Sequence, residues 1–206
     1  MDHLGHLLVT HIRKYVPLSS EQEEKVLPSF RQRRIAKRGY LIKPGEVCRY
    51  ESFVIKGSLR SFITDEQEHE HVLQLAVEEA WVSDFNSFLY GTPAQFYIEA
   101  VEPSVLLQIE RPDLEALYRQ VPPLERYFRL LHQNLYLKLS QRIVDNLSLS
   151  ARDRYINFIQ QAPGVAARFP QKHLASYLGM TPVALSLIRK GLKDEAGPGE
   201  GNLSFD

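Results

Sequence analysis

With one cysteine in 206 residues, the chain cannot form an intramolecular disulfide. It also has too few thiols for a cysteine-ligated iron–sulfur cluster or a thiolate zinc site. No run of eighteen apolar residues occurs, so no membrane-spanning helix is expected. The opening residues, MDHLGHLLVTHIRKY, lack the basic start, apolar middle and small-residue cleavage site of a secretion signal. The expected compartment is therefore a reducing cytoplasm. Net charge is absent as well, since 25 Lys and Arg face 25 Asp and Glu. Apolar content of 44% is ordinary for a globular protein of one large or two small domains.

The neutral total hides an uneven spread. Residues 1–122 hold 14 bases and 18 acids, and residues 123–193 hold 11 bases and 3 acids. Residues 194–206 hold 4 acids and no base, and their Gly/Pro-rich composition predicts a mobile tail. A basic segment in a neutral protein is the electrostatic footprint of phosphate contact.

That segment contains QKHLASYLGMTPVALSLIRK, residues 171–190. Ala175 is a small residue where two helices can cross, and four positions on Gly179 permits a left-handed turn. Leu174, Leu178, Met180, Leu185 and Ile188 supply the buried faces. Thr181-Pro182 opens the second helix, with Thr as N-cap and Pro at the first helical position. The pattern predicts a helix-turn-helix, whose usual use is to place the second helix in the DNA major groove. An ordinary helical pair with a glycine turn is the plainer alternative.

Residues 3–34 read as helical. From Ile35 the texture changes to short Val/Ile/Phe/Tyr segments separated by Gly39, Pro44-Gly45, Gly57, Asp65, Gly91-Thr92-Pro93 and Pro103. This predicts an antiparallel barrel or jelly roll. Its expected strands are Tyr40–Ile42, Tyr50–Lys56, Leu59–Thr64, His71–Ala76, Gln95–Ala100 and Val105–Glu110. A short helix follows over Arg111–Arg119. An uninterrupted helical pattern then runs from Pro123 to about Leu149. Its seam of Leu124, Tyr127/Phe128, Leu131, Leu135, Leu139, Ile143 and Leu147 predicts pairing with a twin helix. A further helix is expected over Ala151–Gln161, capped by Ser150.

This order resembles the Crp/Fnr family of bacterial transcription regulators, whose β-roll is of the cyclic-nucleotide-binding type. The resemblance is carried by Arg38-Gly39 through Gly45-Glu46, by Val54-Ile-Lys-Gly57-Ser-Leu-Arg60, and by Leu89-Tyr-Gly91-Thr-Pro93. Ala175-Ser-Tyr-Leu-Gly179-Met-Thr-Pro182 adds to it and is similar to a Bacteroidetes-type branch. The resemblance implies an α+β fold: a β-roll sensor domain with N-terminal helices (1–120), a connecting dimerisation helix (121–149) and a (winged) helix-turn-helix domain (150–206). Only thirteen residues follow Lys193, so a full wing is not expected.

The family's cyclic-nucleotide binders hold the ligand with a Phe-Gly-Glu triplet and an Arg beyond the Gly-Thr-Pro turn. The corresponding positions here are Val82-Ser83-Asp84 and Ala94-Gln95-Phe96. Asp84 is the only charged residue between Glu79 and Glu99. A phosphate without a cation forgoes the strong charge-assisted bonds, so cyclic AMP is not the expected ligand. Ser83, Asp84, Asn86, Gln95 and Phe96, with the nearby aromatics Trp81, Phe85, Phe88, Tyr90 and Tyr97, outline a degenerate pocket for some other small molecule. The same aromatics could equally fill the β-roll and leave no ligand site. His69-Glu-His71 has cupin-like metal-ligand spacing, but a polar hairpin is the simpler reading and no metal is expected.

By resemblance, Gln171, Lys172 and His173 contact phosphates, and Thr181, Ser186, Arg189 and Lys190 face the groove. The branch carries Glu and Arg at the positions of Val183 and Leu187, and that Arg would read guanine. The expected function is a homodimeric, ligand- or partner-responsive DNA-binding regulator and not an enzyme, since no nucleophile–base constellation is visible. Two alternatives remain: a β-roll interaction module with a decayed DNA-binding domain, and a cupin-like metal protein.

Overall fold

The structure, a computed structural model, describes residues 2–196, with side chains from Gly5 to Glu195. The acidic tail beyond Ala196, and with it any wing, lies outside the described residues.

Two helices lead in: α1 (Asp2–Arg13) and α2 (Ser20–Val26). α1 lays Leu8, Val9 and Ile12 against the core. Ser19 begins α2 with a capping box, its hydroxyl accepting from Gln22 N at 3.2 Å while Gln22 Oε1 accepts from Ser19 N at 3.0 Å. The helical run does not reach residue 34 as expected. Pro28 confines the chain to one 3₁₀ turn (Leu27–Ser29), and Arg31–Ile35 then forms strand β1. The RQRRI segment has no apolar alternation to announce a strand. Its place comes from backbone pairing, Arg31 opposite Gln108 through Ile35 opposite Ser104.

The remaining strands are β2 (Tyr40–Ile42), β3 (Tyr50–Lys56), β4 (Leu59–Thr64), β5 (Glu70–Ala76), β6 (Trp81–Val82), β7 (Tyr97–Ala100) and β8 (Ser104–Glu110). They make two antiparallel four-stranded sheets, ordered β1-β8-β3-β6 and β2-β7-β4-β5. Facing each other, the sheets form the β-roll. The β3–β4 turn needs Gly57, at φ +101°, because a Cβ there would lie 2.7 Å from the Pro103 carbonyl. Short helix α3 (Phe85–Tyr90), not expected from sequence, links β6 to the Gly91 turn.

Helix α4 (Arg111–Gln120) leads to α5 (Pro123–Ser148), α6 (Ala151–Gln161), a single-turn α7 (Pro163–Ala166), α8 (Gln171–Tyr177) and α9 (Pro182–Ala196). At 26 residues α5 spans about 39 Å, yet only Leu124, Tyr127 and Phe128 in its first turns are buried. Two apolar cores result. One joins the roll to α1, α4 and the start of α5 through Phe53, Leu106, Ile98, Leu117 and Tyr127. The other gathers Tyr155, Phe169, Leu174, Ala175, Leu178 and Leu185, and against it pack Leu75, Val77 and Val101 of the roll. The C-terminal helices are thus seated on the β-roll of their own chain.

Candidate ligand pocket and nucleic-acid interface

The segment between β6 and β7 closes on itself. Asp84 is 2% exposed, and both its carboxylate oxygens are used within the segment. One accepts from Ser87 N at 3.0 Å as the N-cap of α3, and the other from Gln95 N at 2.8 Å. Ser87 Oγ donates to the Thr92 carbonyl at 2.5 Å and accepts from Cys48 N at 2.8 Å. Asn86 Nδ2 donates to Thr92 Oγ1 at 3.2 Å. Ser83 Oγ turns away from the roll interior and donates to Glu51 Oε1 at 2.8 Å.

The expectation that Ser83, Asp84, Asn86, Gln95 and Phe96 line one pocket is therefore corrected. Asp84 and Ser83 are consumed as structural acceptor and donor, and Phe96 packs on the main core. Asn86 and Gln95 stand on the exposed side of the turn. The aromatics disperse as well. Trp81 and Phe88 enter the main core, Tyr97 stacks on Phe62 at 4.9 Å, and Tyr90 is 74% exposed. A cation does reach the turn, Arg111, whose guanidinium donates to the Leu89 carbonyl. The stretch between Glu79 and Glu99 could not reveal it, because it comes from the start of α4.

Behind the turn, Glu51 lies between β3 and the helices, 4% exposed. Burial pushes its carboxyl up to about 7, with the Ser83 hydrogen bond opposing the rise. Beside it, Trp81 Nε1 donates to the Tyr127 hydroxyl at 2.8 Å, and that hydroxyl lies 2.8 Å from His11 Nδ1. Burial lowers the His11 pKa, which suits a neutral ring accepting the Tyr127 proton.

At the other end of the molecule, α8 and α9 form the expected helix-turn-helix. Gly179 has φ +65°, and Met180 N donates to the Ala175 carbonyl at 3.0 Å. Thr181 Oγ1 caps α9 by accepting from Ala184 N at 3.1 Å. Arg154 ties the turn to α6 by donating to the Leu178 carbonyl at 3.0 Å. Gln171, Lys172, Thr181, Ser186 and Lys190 are exposed, while Arg189 is half-buried beside Tyr155. Val183 and Leu187 stand 70% and 65% exposed on the outer face of α9.

His173 is the exception, since it does not face outward with Gln171 and Lys172. It is 7% exposed, and its Nδ1 lies 2.7 Å from Arg60 Nη1. The reason is the seam between α8 and sheet edge β5. There Arg60 is buried between Glu70 at 2.5 Å and Glu99 at 2.6 Å, its plane over the Phe62 ring. A guanidinium can only donate, so His173 Nδ1 must accept and the ring is neutral. Burial first, then the Arg60 charge, lowers the His173 pKa to about 4.

Elsewhere in the seam, Ser176 Oγ accepts from Val72 N at 2.9 Å and donates to the Glu70 carbonyl at 2.8 Å. Arg168 pairs with both Glu78 and Glu102. Arg142 of α5 donates to the Leu73 carbonyl at 2.6 Å and lies over Tyr177. Sequence reasoning missed this seam because its hydrogen bonds between the roll and the C-terminal helices join residues 66 to 113 positions apart.

The far half of α5 is bare on one side. Leu135, Leu139, Ile143 and Leu147 recur every four residues and are 41%, 46%, 60% and 84% exposed. His69 and His71 both approach Asp65 in the β4–β5 hairpin. No group of three or more His, Cys, Asp or Glu among the described residues is arranged to hold a metal. No described helix is long and apolar enough to cross a membrane.

Residues 32–121 match the family model of the cyclic nucleotide-binding domain. That match spans less than half of the chain, and over most of its length the chain shares its fold with solved proteins. FixK2 from Bradyrhizobium japonicum superposes with a TM-score of 0.71 at 14% identity, over 84% of this chain and 89% of that one. A mutant of CooA from Carboxydothermus hydrogenoformans gives 0.68 at 20%, covering 86% and 83%. The c-di-GMP responsive global regulator CLP from Xanthomonas campestris gives 0.66 at 16%, covering 86% and 93%. No curated relative matches the sequence.

Proposed function

We propose that the protein is a homodimeric DNA-binding transcription regulator whose β-roll responds to a small molecule or partner other than cyclic AMP. The observation that carries this reading is the orientation of the helix-turn-helix. Its inner face is packed, while the outer face of α9 and the cations Lys172 and Lys190 are exposed. Groove-reading proteins of this kind bind paired half-sites, and the apolar row on α5 suits a twin helix. Against cyclic AMP stands the turn at Asp84, where a buried carboxylate is closed onto Ser87 N and Gln95 N and the Arg111 guanidinium is turned to the Leu89 carbonyl.

The test is fluorescence anisotropy of the full chain with random-sequence duplex DNA across a salt series, with Leu187→Arg alongside. Affinity falling steeply with salt supports the reading. Cyclic AMP should leave that affinity unchanged, and a tenfold rise on its addition would refute this part of the proposal.

A second reading is favoured by one observation. Val183 and Leu187 put apolar side chains where base-reading groups would stand, which fits a β-roll interaction module with a lapsed DNA-binding domain. Absence of wild-type affinity at low salt, with recovery in Leu187→Arg, would select it.

A further inference from the structure

Residues near β1 and β2 hold a second concentration of positive charge. Residues 31–49 contain seven bases, Arg31, Arg33, Arg34, Lys37, Arg38, Lys43 and Arg49, and a single acid, Glu46. Averaged with the acids of residues 50–122, the cluster vanishes into a net negative block.

Two of the seven, Arg33 and Arg49, line an opening. Between the β1-β8-β3 wall and β2, closed by the 46–49 loop, lies a cavity of about 250 Å³. Ser52 and Gln108, 0% and 2% exposed, contribute to its lining. Gln108 Nε2 donates to Ser52 Oγ at 2.9 Å, which leaves the serine proton to give. Leu41 and Val47 supply apolar wall, and Arg33 and Arg49 line it from exposed positions.

Strand register accounts for Arg33. Arg31 pairs with Gln108 and Gln108 with Ser52, so Arg31, Arg33, Gln108 and Ser52 share the inner face of the sheet. Arg31 is already engaged, lying over the Tyr50 ring and 3.5 Å from Glu110. Neither Arg33 nor Arg49 has a carboxylate partner among the described residues. Glu46, also in the lining, turns one oxygen to the Lys43 amide at 3.0 Å.

We propose that this cavity is a binding site for a small organic or inorganic polyanion carrying at least two ionised oxygens. The anion is held between the Arg33 and Arg49 guanidiniums, with Ser52 and Gln108 as neutral partners. Guanidinium pairs are the strong, directional way to hold carboxylate or phosphate oxygens. The volume falls just below the roughly 300–1,000 Å³ usual for small-molecule sites, so the ligand is compact. The site adjoins the segment 83–96, since Cys48 of its lining donates to Ser87 Oγ, but none of its lining residues comes from that segment, and it does not depend on the DNA-binding reading. Charge along an edge strand also discourages strand pairing, but that purpose needs neither a cavity nor buried polar groups in its wall.

The test is calorimetric titration of the full chain with pyrophosphate and with citrate at fixed ionic strength. Saturable binding of at least one is expected. It should weaken tenfold or more in Arg33→Ala and in Arg49→Ala, and stay within twofold in Arg34→Ala and Lys37→Ala, which remove cations outside the cavity lining. Three outcomes overturn the proposal: no saturable binding of either anion, binding that survives both cavity substitutions, or equal loss in all four variants. The last would mark a general charge effect.

Discussion

Glu51 and His173 are both buried titratable side chains, but they respond to pH in opposite senses because different neighbours hold them. Glu51 sits in a neutral setting behind the 83–96 turn, where burial favours the protonated acid. His173 sits in a charged seam, where burial and Arg60 favour the uncharged ring. Glu51 has a folded pKa above its unfolded value, so its favourable state is complete at low pH and is lost as pH rises towards 7 and beyond. His173 has a folded pKa below its unfolded value, so its contribution is complete above pH 6.5 and is lost as pH falls towards 4. The turn is a local closure of hydrogen bonds within one segment, whereas the seam is a long-range join made largely by ion pairs. Alkali therefore strains the first and acid the second.

The largest effect expected from disrupting this contrast is at Arg60. Arg60→Ala leaves Glu99, 13% exposed, without its cation, and should cost about 3 kcal/mol in chemical denaturation at neutral pH. A loss under about 1 kcal/mol would mean that the seam behaves as an exposed ion pair. Glu51→Gln comes next. It keeps a partner for Ser83 and removes the buried ionisation, so the variant should gain up to about 3 kcal/mol over wild type at pH 8 and nothing at pH 4. An equal difference at both pH values would count against the pH argument.

Asp84→Ala should cost about 2 kcal/mol, as an N-cap and a second buried amide lose their acceptor. Hydrogen exchange should localise the added opening to residues 84–95. Spread through α8 instead would show that turn and seam are coupled. The smallest effect is expected for Ser176→Ala, about 1 kcal/mol, with faster exchange at the Val72 amide. Unchanged exchange there would dissociate Ser176 from the edge of β5.

Local pattern carried most of the fold. Tyr40–Ile42, Tyr50–Lys56 and Leu59–Thr64 are strands at the expected boundaries because alternation and glycine turns are written into adjacent residues. Ala151–Gln161 and its Ser150 cap were legible for the same reason. β1 was not, since an edge strand of four exposed positions needs no apolar pattern. At the candidate sites, the Gly179 turn and the Thr181 cap could be read because helix caps act over three or four residues. The roles of Asp84 and His173 could not. An acid that caps a helix and an acid that meets a ligand have the same letter, and the Arg60–His173 contact spans 113 positions.

Ser176 has one further consequence. By taking the Val72 N–H and giving to the Glu70 carbonyl, its hydroxyl stands in for a strand that sheet edge β5 lacks. Helix α8 is in this sense a lid on a sticky seam of backbone. Removing the C-terminal helices would bare both that edge and the apolar patch of Leu75, Val77 and Val101. A shortened chain would then tend to zip edge to edge with its own copies, so the helix-turn-helix also serves as the β-roll's guard against self-association.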